Sequence, residues 1–491
     1  MSIFNNNILA GAAAQSTTTP VYTIDQSIRF NSSDEHFMYS PTPSSSKDFT
    51  TTATISMWIK LGEISQHYFM GAFYGSNNRY NFVQVDAEGQ IREIHRAGGA
   101  STSTGTGETL YETTQVFRDP SAWYHLVFVY DSTNAVQSQR FRLYVNGARV
   151  TDWSTSPNTK LGSGELFYWF GKSSPTTLGA YNTTTGYADS FYWDGYMAEM
   201  HGVDGTALNP DSFGEFNSSG IWIPKEYTGS HGTDGFYIKG ADANALGTNS
   251  ASNGNNFTLN AISAHDQMAD SPTNNFPTLN PLNKYGSNVS LSDGNLTSTA
   301  SSTSNDRGAK ATQAVTSGKW YFEVYFSASN ADNNGGVAVS DSSDYNAAPG
   351  ETSDPKGIRY MSAGNFRQNG SSTSAITTIA AKDVVMVAID MDNDKAWFGI
   401  NGTWVSSGDP AAGTNATATT IPDLGLPASY HYNSTATELF NFGQDSTFSG
   451  QNVNANDYGN YVGASDGNGV GSFFYTPPTG YLAICTKNLG S

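Results

Sequence analysis

The chain has 491 residues, 37% hydrophobic and 13% aromatic, with 27 Tyr, 27 Phe and 9 Trp among abundant Asn, Ser, Thr and Gly. That supply of rings excludes a disordered chain, which lacks apolar surface to fill a core, and the length suits two sandwich domains of about 200–250 residues each. Against 43 Asp and Glu stand only 24 Lys and Arg, a formal charge of −19, which excludes nucleic acid as a partner because phosphate binding needs clustered cations.

Residues 1–19 read as a polar, Ala-rich leader. No Lys or Arg precedes its apolar stretch, so it does not meet the pattern of a secretory signal. Two readings of it stay open: a flexible tail, or a peptide that orders when docked on a partner. Its apolar residues Ile3, Phe4, Ile8 and Leu9 are the expected contacts in the second case.

Residues 20–265 are expected to form the first sheet domain. Ile55, Met57 and Ile59 share one face of an alternating run. The strand Val127–Asp131 then feeds Leu143-Tyr144-Val145-Asn146-Gly147, and an Asn-Gly pair between alternating strands predicts a hairpin with a type I′ turn. Half-apolar strands of this kind suit antiparallel sheets with one wet face, not a parallel α/β core. No segment holds a helical period for three turns.

Two aromatic clusters follow, Leu166–Phe170 and Tyr187–Asp194. In the second, Tyr187, Asp189, Tyr192 and Asp194 combine flat rings with carboxylates, an apolar face with a polar rim that suits carbohydrate. The competing reading is that alternate rings pack the sandwich.

Residues 266–285 loosen into Asn, Ser and Pro and are expected to be a linker, since proline cannot donate ladder hydrogen bonds. The second sheet domain, 286–491, carries Lys319–Phe326 with Trp320, Phe322, Val324 and Phe326 on one face. Val384–Asp390 then feeds Trp397-Phe398-Gly399-Ile400-Asn401-Gly402, which repeats the meander of the first domain. The fold expected is all-β: two antiparallel, jelly-roll-like β-sandwiches in tandem.

Cys485 is the only cysteine, so no intrachain disulfide forms, and its neighbours Ala483 and Ile484 predict a buried thiol. No apolar run approaches ~20 residues, so no helix is expected to span a membrane. Retaining glycosidases hold two carboxylates ~5 Å apart, as alternating strand positions allow, and no Glu-x-Asp-x-Glu run is present. Asp390-x-Asp392-x-Asp394 begins like a calcium loop, but Lys395 and Asn401 occupy the positions that need Gly and Glu. Gly463–Gly467 has the letters of a nucleophile elbow without the strand and helix around it. No enzyme activity, metal or cofactor is expected.

Ile55-Ser56-Met57-Trp58-Ile59, the run from Trp123 to Gly147, and Trp193-Asp194-Gly195-Tyr196-Met197-Ala198-Glu199 resemble the laminin G-like, concanavalin A-type jelly roll. In that family the segment holding Glu199 is a structural signature, which implies a non-catalytic role here. Lys319–Glu323, Trp397–Trp404, Leu439–Gln444 and Pro477–Tyr481 resemble SPRY (B30.2) domains, which implies a binding module working through its loops. The leader Met1–Gly11, the run Thr114–Tyr124 and the connector Ser271–Leu282 resemble proteins of marine bacteriophages.

This resemblance implies a virion protein on the particle exterior or tail, a fibre or appendage subunit anchored by its leader to other virion proteins. It implies homo-oligomerisation and attachment to host-surface glycan or protein, without membrane insertion. A decoration or head-fibre protein without host ligand, and a glycan-degrading hydrolase, are the alternative expectations.

Overall fold

The computed structural model describes residues 22–41, 47, 49–74, 79–96, 108–154, 161–171, 175–183, 186–187, 191–301, 305–328, 335–341, 347–373, 376–432, 436–451 and 463–490, with backbone alone at Glu108, Thr183, Tyr187 and Ala328. The chain divides into two compact units between Thr273 and Asn274. Among the described residues the only helices are short 3-10 turns and the four-residue helix Thr486–Leu489.

The first unit begins with β1 (Ser27–Phe30), β2 (Phe37–Tyr39), β3 (Thr52–Leu61), β4 (His67–Tyr74), β5 (Arg79–Val85) and β6 (Gln90–Arg96). It continues with β7 (Glu108–Val116), β8 (Trp123–Asp131), β9 (Phe141–Val145), β10 (Ala148–Arg149), β11 (Thr176–Leu178), β12 (Asn182–Thr183) and β13 (Gly186–Tyr187). It closes with β14 (Gly195–Asp204), β15 (Gly214–Phe216), β16 (Trp222–Pro224), β17 (Phe236–Ile238), β18 (Thr258–Asn260) and β19 (Gln267–Met268).

One sheet runs β10-β9-β8-β3-β14-β1-β19, with β17 added to β14, and the other runs β18-β2-β11-β4-β5-β6-β7. Period-two alternation supplies the core. Ile55, Met57, Ile59, Leu126 and Phe128 from the first sheet meet Phe69, Met70, Val83, Val85 and Ile91 from the second in one buried cluster. Phe167, Tyr168, Trp169 and Phe170 join that cluster, so this aromatic run packs the sandwich.

In the second unit one sheet orders Leu279–Tyr285, Gly308–Ala311, Leu426–His431, Gly335–Ser340, Ile358–Met361, Phe366–Gln368 and Ser371–Ser372. The other centres on Lys319–Ala328, flanked by Thr437–Asn441 and by Val384–Asp390, which leads into Lys395–Ile400. Phe322, Val324, Val385 and Val387 are buried in register, and Tyr360 stacks on Phe398 with centroids 5.3 Å apart.

Both Asn-Gly hairpins have positive φ at both turn residues, 47° and 77° at Asn146 and Gly147, 50° and 80° at Asn401 and Gly402, as a type I′ turn requires. Each Asn also reaches back to the first strand of its meander. His125 N donates to Asn146 Oδ1 at 2.8 Å while Asn146 N donates to His125 O at 2.9 Å. In the second unit Val384 N donates to Asn401 Oδ1 and Asn401 N to Val384 O, both at 2.9 Å.

The expected linker, 266–285, is a correction. Gln267 and Met268 pair with β1, Asp270 is fully buried against Lys60, and Leu279–Tyr285 is a paired strand of the second unit. Pro281 is accommodated because the register shifts between Leu279 and Lys284. The composition reflected irregular ladders; it carried no sign of the buried ion pair that pins the segment down.

Candidate functional site

The alternation that points Phe69, Ala72, Val83 and Val85 inward leaves Tyr68, Phe73, Tyr80 and Phe82 on the outer face of the second sheet. Cross-strand register sets Tyr80 opposite Phe73 on one side and Arg96 on the other, with Phe82 opposite Gly71 and Ile94. The rings of Tyr80 and Phe82 lie 4.6 Å apart at 10°, and those of Phe73 and Tyr80 lie 6.4 Å apart at 17°. Three nearly parallel rings therefore form a ladder across β4 and β5.

The excursion between β11 and β14 closes one side of this ladder. Tyr181 approaches Tyr68 at 4.5 Å and Phe82 at 5.4 Å, and Phe191, 46% exposed, stands 6.2 Å from Tyr68. Gly71 permits that approach, because a Cβ there would fall 2.8 Å from Tyr181 Cα. Polar groups edge the rings: Arg96 lies over Tyr80 at 6.0 Å, and Gln66 donates to Gln84 at 3.4 Å. The half-buried rings of Phe73, Tyr80, Tyr68 and Tyr181 with amide and guanidinium donors beside them offer an apolar platform and a polar rim.

Among the described side chains two carboxylates reach this face, Asp86 and Glu112, and both are buried against Arg92, Asp86 at 2.9 Å. Neither is placed as a free acid or base.

Of the four ligand residues expected from the sequence, Asp189 lies outside the described residues, and Tyr187 is described only by its backbone, which pairs with Asn182. Tyr192 is half-buried and stacks on Phe37 at 6.0 Å and 24°. Asp194 is 5% exposed and turns away from solvent, its Oδ2 accepting from Ser32 N at 3.3 Å and Ser32 Oγ at 3.2 Å. Burial pushes its pKa up to about 6, opposed by His67 and the Ser32 bonds. The structure thus places Asp194 as a tie between β14 and the turn after β1. The leader residues Ile3, Phe4, Ile8 and Leu9 lie outside the described residues.

Sequence reasoning did not single out Tyr68, Phe73, Tyr80 or Tyr181. The signal was present in Tyr80-Asn81-Phe82, whose alternation implies two rings on one face. Which face is wet was not readable, because it depends on what the facing sheet covers.

A second polar cluster sits on the outer face of the other sheet. A bulge in β14 between Ala198 and His201 gives Glu199 a φ of +48°. Its carboxylate accepts from Tyr22 OH at 2.8 Å and Tyr237 OH at 2.7 Å, with His201 Nε2 at 3.4 Å. Burial raises the Glu199 pKa, but the bonds from His201, Tyr237 and Tyr22 outweigh it and hold the group ionised below the usual range.

Nearby, Ser56 Oγ and His125 Nε2 are 2.8 Å apart, a geometry that invites comparison with a nucleophile and its base. Trp222 Nε1 decides the matter: it can only donate, and it lies 3.0 Å from His125 Nδ1. Neutral His125 therefore carries its proton on Nε2 and donates to Ser56, so it cannot accept the serine proton. Burial, with His201 adding repulsion, lowers the His125 pKa to about 3 and keeps it neutral.

Residues 34–212 match the laminin G-type family described as the Concanavalin A-like lectin/glucanases superfamily. This region of the first unit is a laminin G-like, concanavalin A-like lectin-type domain, and it contains the whole aromatic face. Similar solved structures include the SPRY domain of human HERC1, 19% identical over 33% of this chain and 96% of that one, with a TM-score of 0.28. Domains LG4-5 of the mouse laminin alpha1 chain are 12% identical over 86% of this chain and 89% of that one, with a TM-score of 0.29. A heptameric SAP-like pentraxin from Limulus polyphemus is 15% identical over 38% and 80%, with a TM-score of 0.29. No curated protein sequence matches the chain.

Proposed function

We propose that the chain is a non-enzymatic structural protein of a bacteriophage virion, a fibre or appendage subunit whose lectin-type unit binds host-surface glycan on the outer face of β4, β5 and β6. The observation that carries the binding role is the ladder of Phe73, Tyr80 and Phe82 with Arg96 and Tyr181 at its edges. Sugar rings present flat C–H faces that pack on such platforms, while their hydroxyls take the polar rim. Catalysis is not part of the reading because Asp86 and Glu112 are both committed to Arg92, and His125 faces Ser56 with the wrong tautomer. The virion role is supported by the leader and connector resemblances alone, with the leader as the tether and repeated copies compensating for weak individual sites.

The test is binding of the purified full chain to host cells, with free sugars as competitors and release of reducing sugar followed in parallel. The reading expects saturable binding that sugars reduce and no sugar release. Binding to no cell or glycan would leave a decoration protein without host ligand, and sugar release would make the chain a hydrolase. Deleting residues 1–15 is expected to abolish incorporation into particles while the unfolding transitions persist. Normal incorporation of that truncation would remove the tether.

A further inference from the structure

Lys60 and Asp270 are both 0% exposed, and Lys60 Nζ lies 2.7 Å from Asp270 Oδ2. On β3, Lys60 stands in register between Trp123 of β8 and Tyr196 of β14, with Nζ 5.7 Å from the Tyr196 ring centroid. Asp270 arrives from the segment after β19. Its backbone carbonyl accepts from Ser27 Oγ at 2.6 Å, and its Oδ1 accepts from Trp123 Nε1 at 3.1 Å. Amine, carboxyl carbon and an N–H donor on the second oxygen are thus held together away from water.

In such a setting two opposite charges are costly, and transfer of one proton from Nζ to Oδ2 removes both. Burial pulls the Lys60 pKa down, against the attraction of Asp270 and Asp119. The neutral amine is a nucleophile, the neutral carboxyl is its electrophile, and fixed proximity replaces a second-order encounter.

We propose that Lys60 and Asp270 condense to an intramolecular isopeptide bond. The Nζ lone pair attacks Asp270 Cγ and forms the C–N bond, while the C=O pair moves onto Oδ1, where Trp123 Nε1–H stabilises the oxyanion. The pair on Oδ1 then re-forms C=O as the Cγ–Oδ2 bond breaks. Oδ2, already protonated, takes a second proton from Nζ and leaves as water. Ammonium plus carboxylate gives amide plus water, so no oxidant, reductant or cofactor is consumed. A second buried pair of this unit, Arg29 with Asp266 at 3.0 Å, stays ionic because a guanidinium is not deprotonated in proteins. The amide ties β3 covalently to the end of the unit, closing almost the whole domain into one ring independently of any glycan.

The experiment is the intact mass of the full chain, measured after denaturation. The proposal expects a mass lower than that of the sequence by one water, a branched peptide joining the Lys60 and Asp270 segments after digestion, and the full sequence mass in Lys60→Arg and Asp270→Ala. A wild-type mass equal to the sequence overturns it, and so does a water loss that maps to another residue such as the Asp293-Gly294 pair. Because the wild-type chain alone decides, a variant that fails to fold does not blunt the test.

Discussion

Asn146 and Asn401 do two jobs at one position. Each tolerates the left-handed turn geometry, and each satisfies a backbone N–H of the first meander strand, at His125 or Val384. Asn401→Ala removes the acceptor and strains the turn, so the second unit is expected to lose about 2 kcal/mol. Asn401→Asp keeps the oxygen but sets a second carboxylate against Asp383, to which Asn401 Nδ2 donates at 2.7 Å, so it is expected to recover little of the loss; denaturant unfolding of the full chain measures both.

Glu93 makes a different kind of residue-scale claim. It sits on the inner face of β6, 1% exposed, with Asn81 donating to it at 3.4 Å, and burial pushes its pKa up to about 8. The folded state therefore holds a proton that the unfolded chain releases near its ordinary pKa of 4.5. Stability is full below that value and falls as pH rises through about 8. Unfolding midpoints at about pH 5 and about pH 9 are expected to lie closer together in Glu93→Gln than in the wild type. An unchanged gap would mean that Glu93 is not protonated in the fold.

At the scale of elements, the meanders were legible because an Asn-Gly pair between alternating strands admits one common turn. The outer aromatic face was half legible: Tyr80-Asn81-Phe82 shows the period but not which side the opposite sheet covers. Asp194 drew attention for the same local reason and proved to be a buried tie to Ser32. The segment after Met268 was misread because long-range pairing leaves no local mark, and Lys60 and Asp270 are 210 residues apart. Asp270→Ala removes the carboxyl that Lys60 is buried against, together with any amide between them, and the expected cost is at least about 3–5 kcal/mol, read as a lower unfolding midpoint of the first unit. A midpoint unchanged by that substitution would show the segment to be a dispensable connector after all.

For the whole molecule, two all-β units stand on one chain of net charge −19, the first a lectin-type sandwich. Among the described residues, only the first presents half-buried parallel rings, Phe73 and Tyr80, continued by the buried ring of Phe82 and with a guanidinium donor at the edge. The most direct measurement is glycan binding by the full chain compared with the double variant Phe73→Ala, Tyr80→Ala, with unfolding followed on the same samples. Losing two stacking rings of about 1 kcal/mol each is expected to weaken binding by about ten-fold or more while the fold is retained. Undiminished binding by a folded double variant would contradict the assignment of the site to this face.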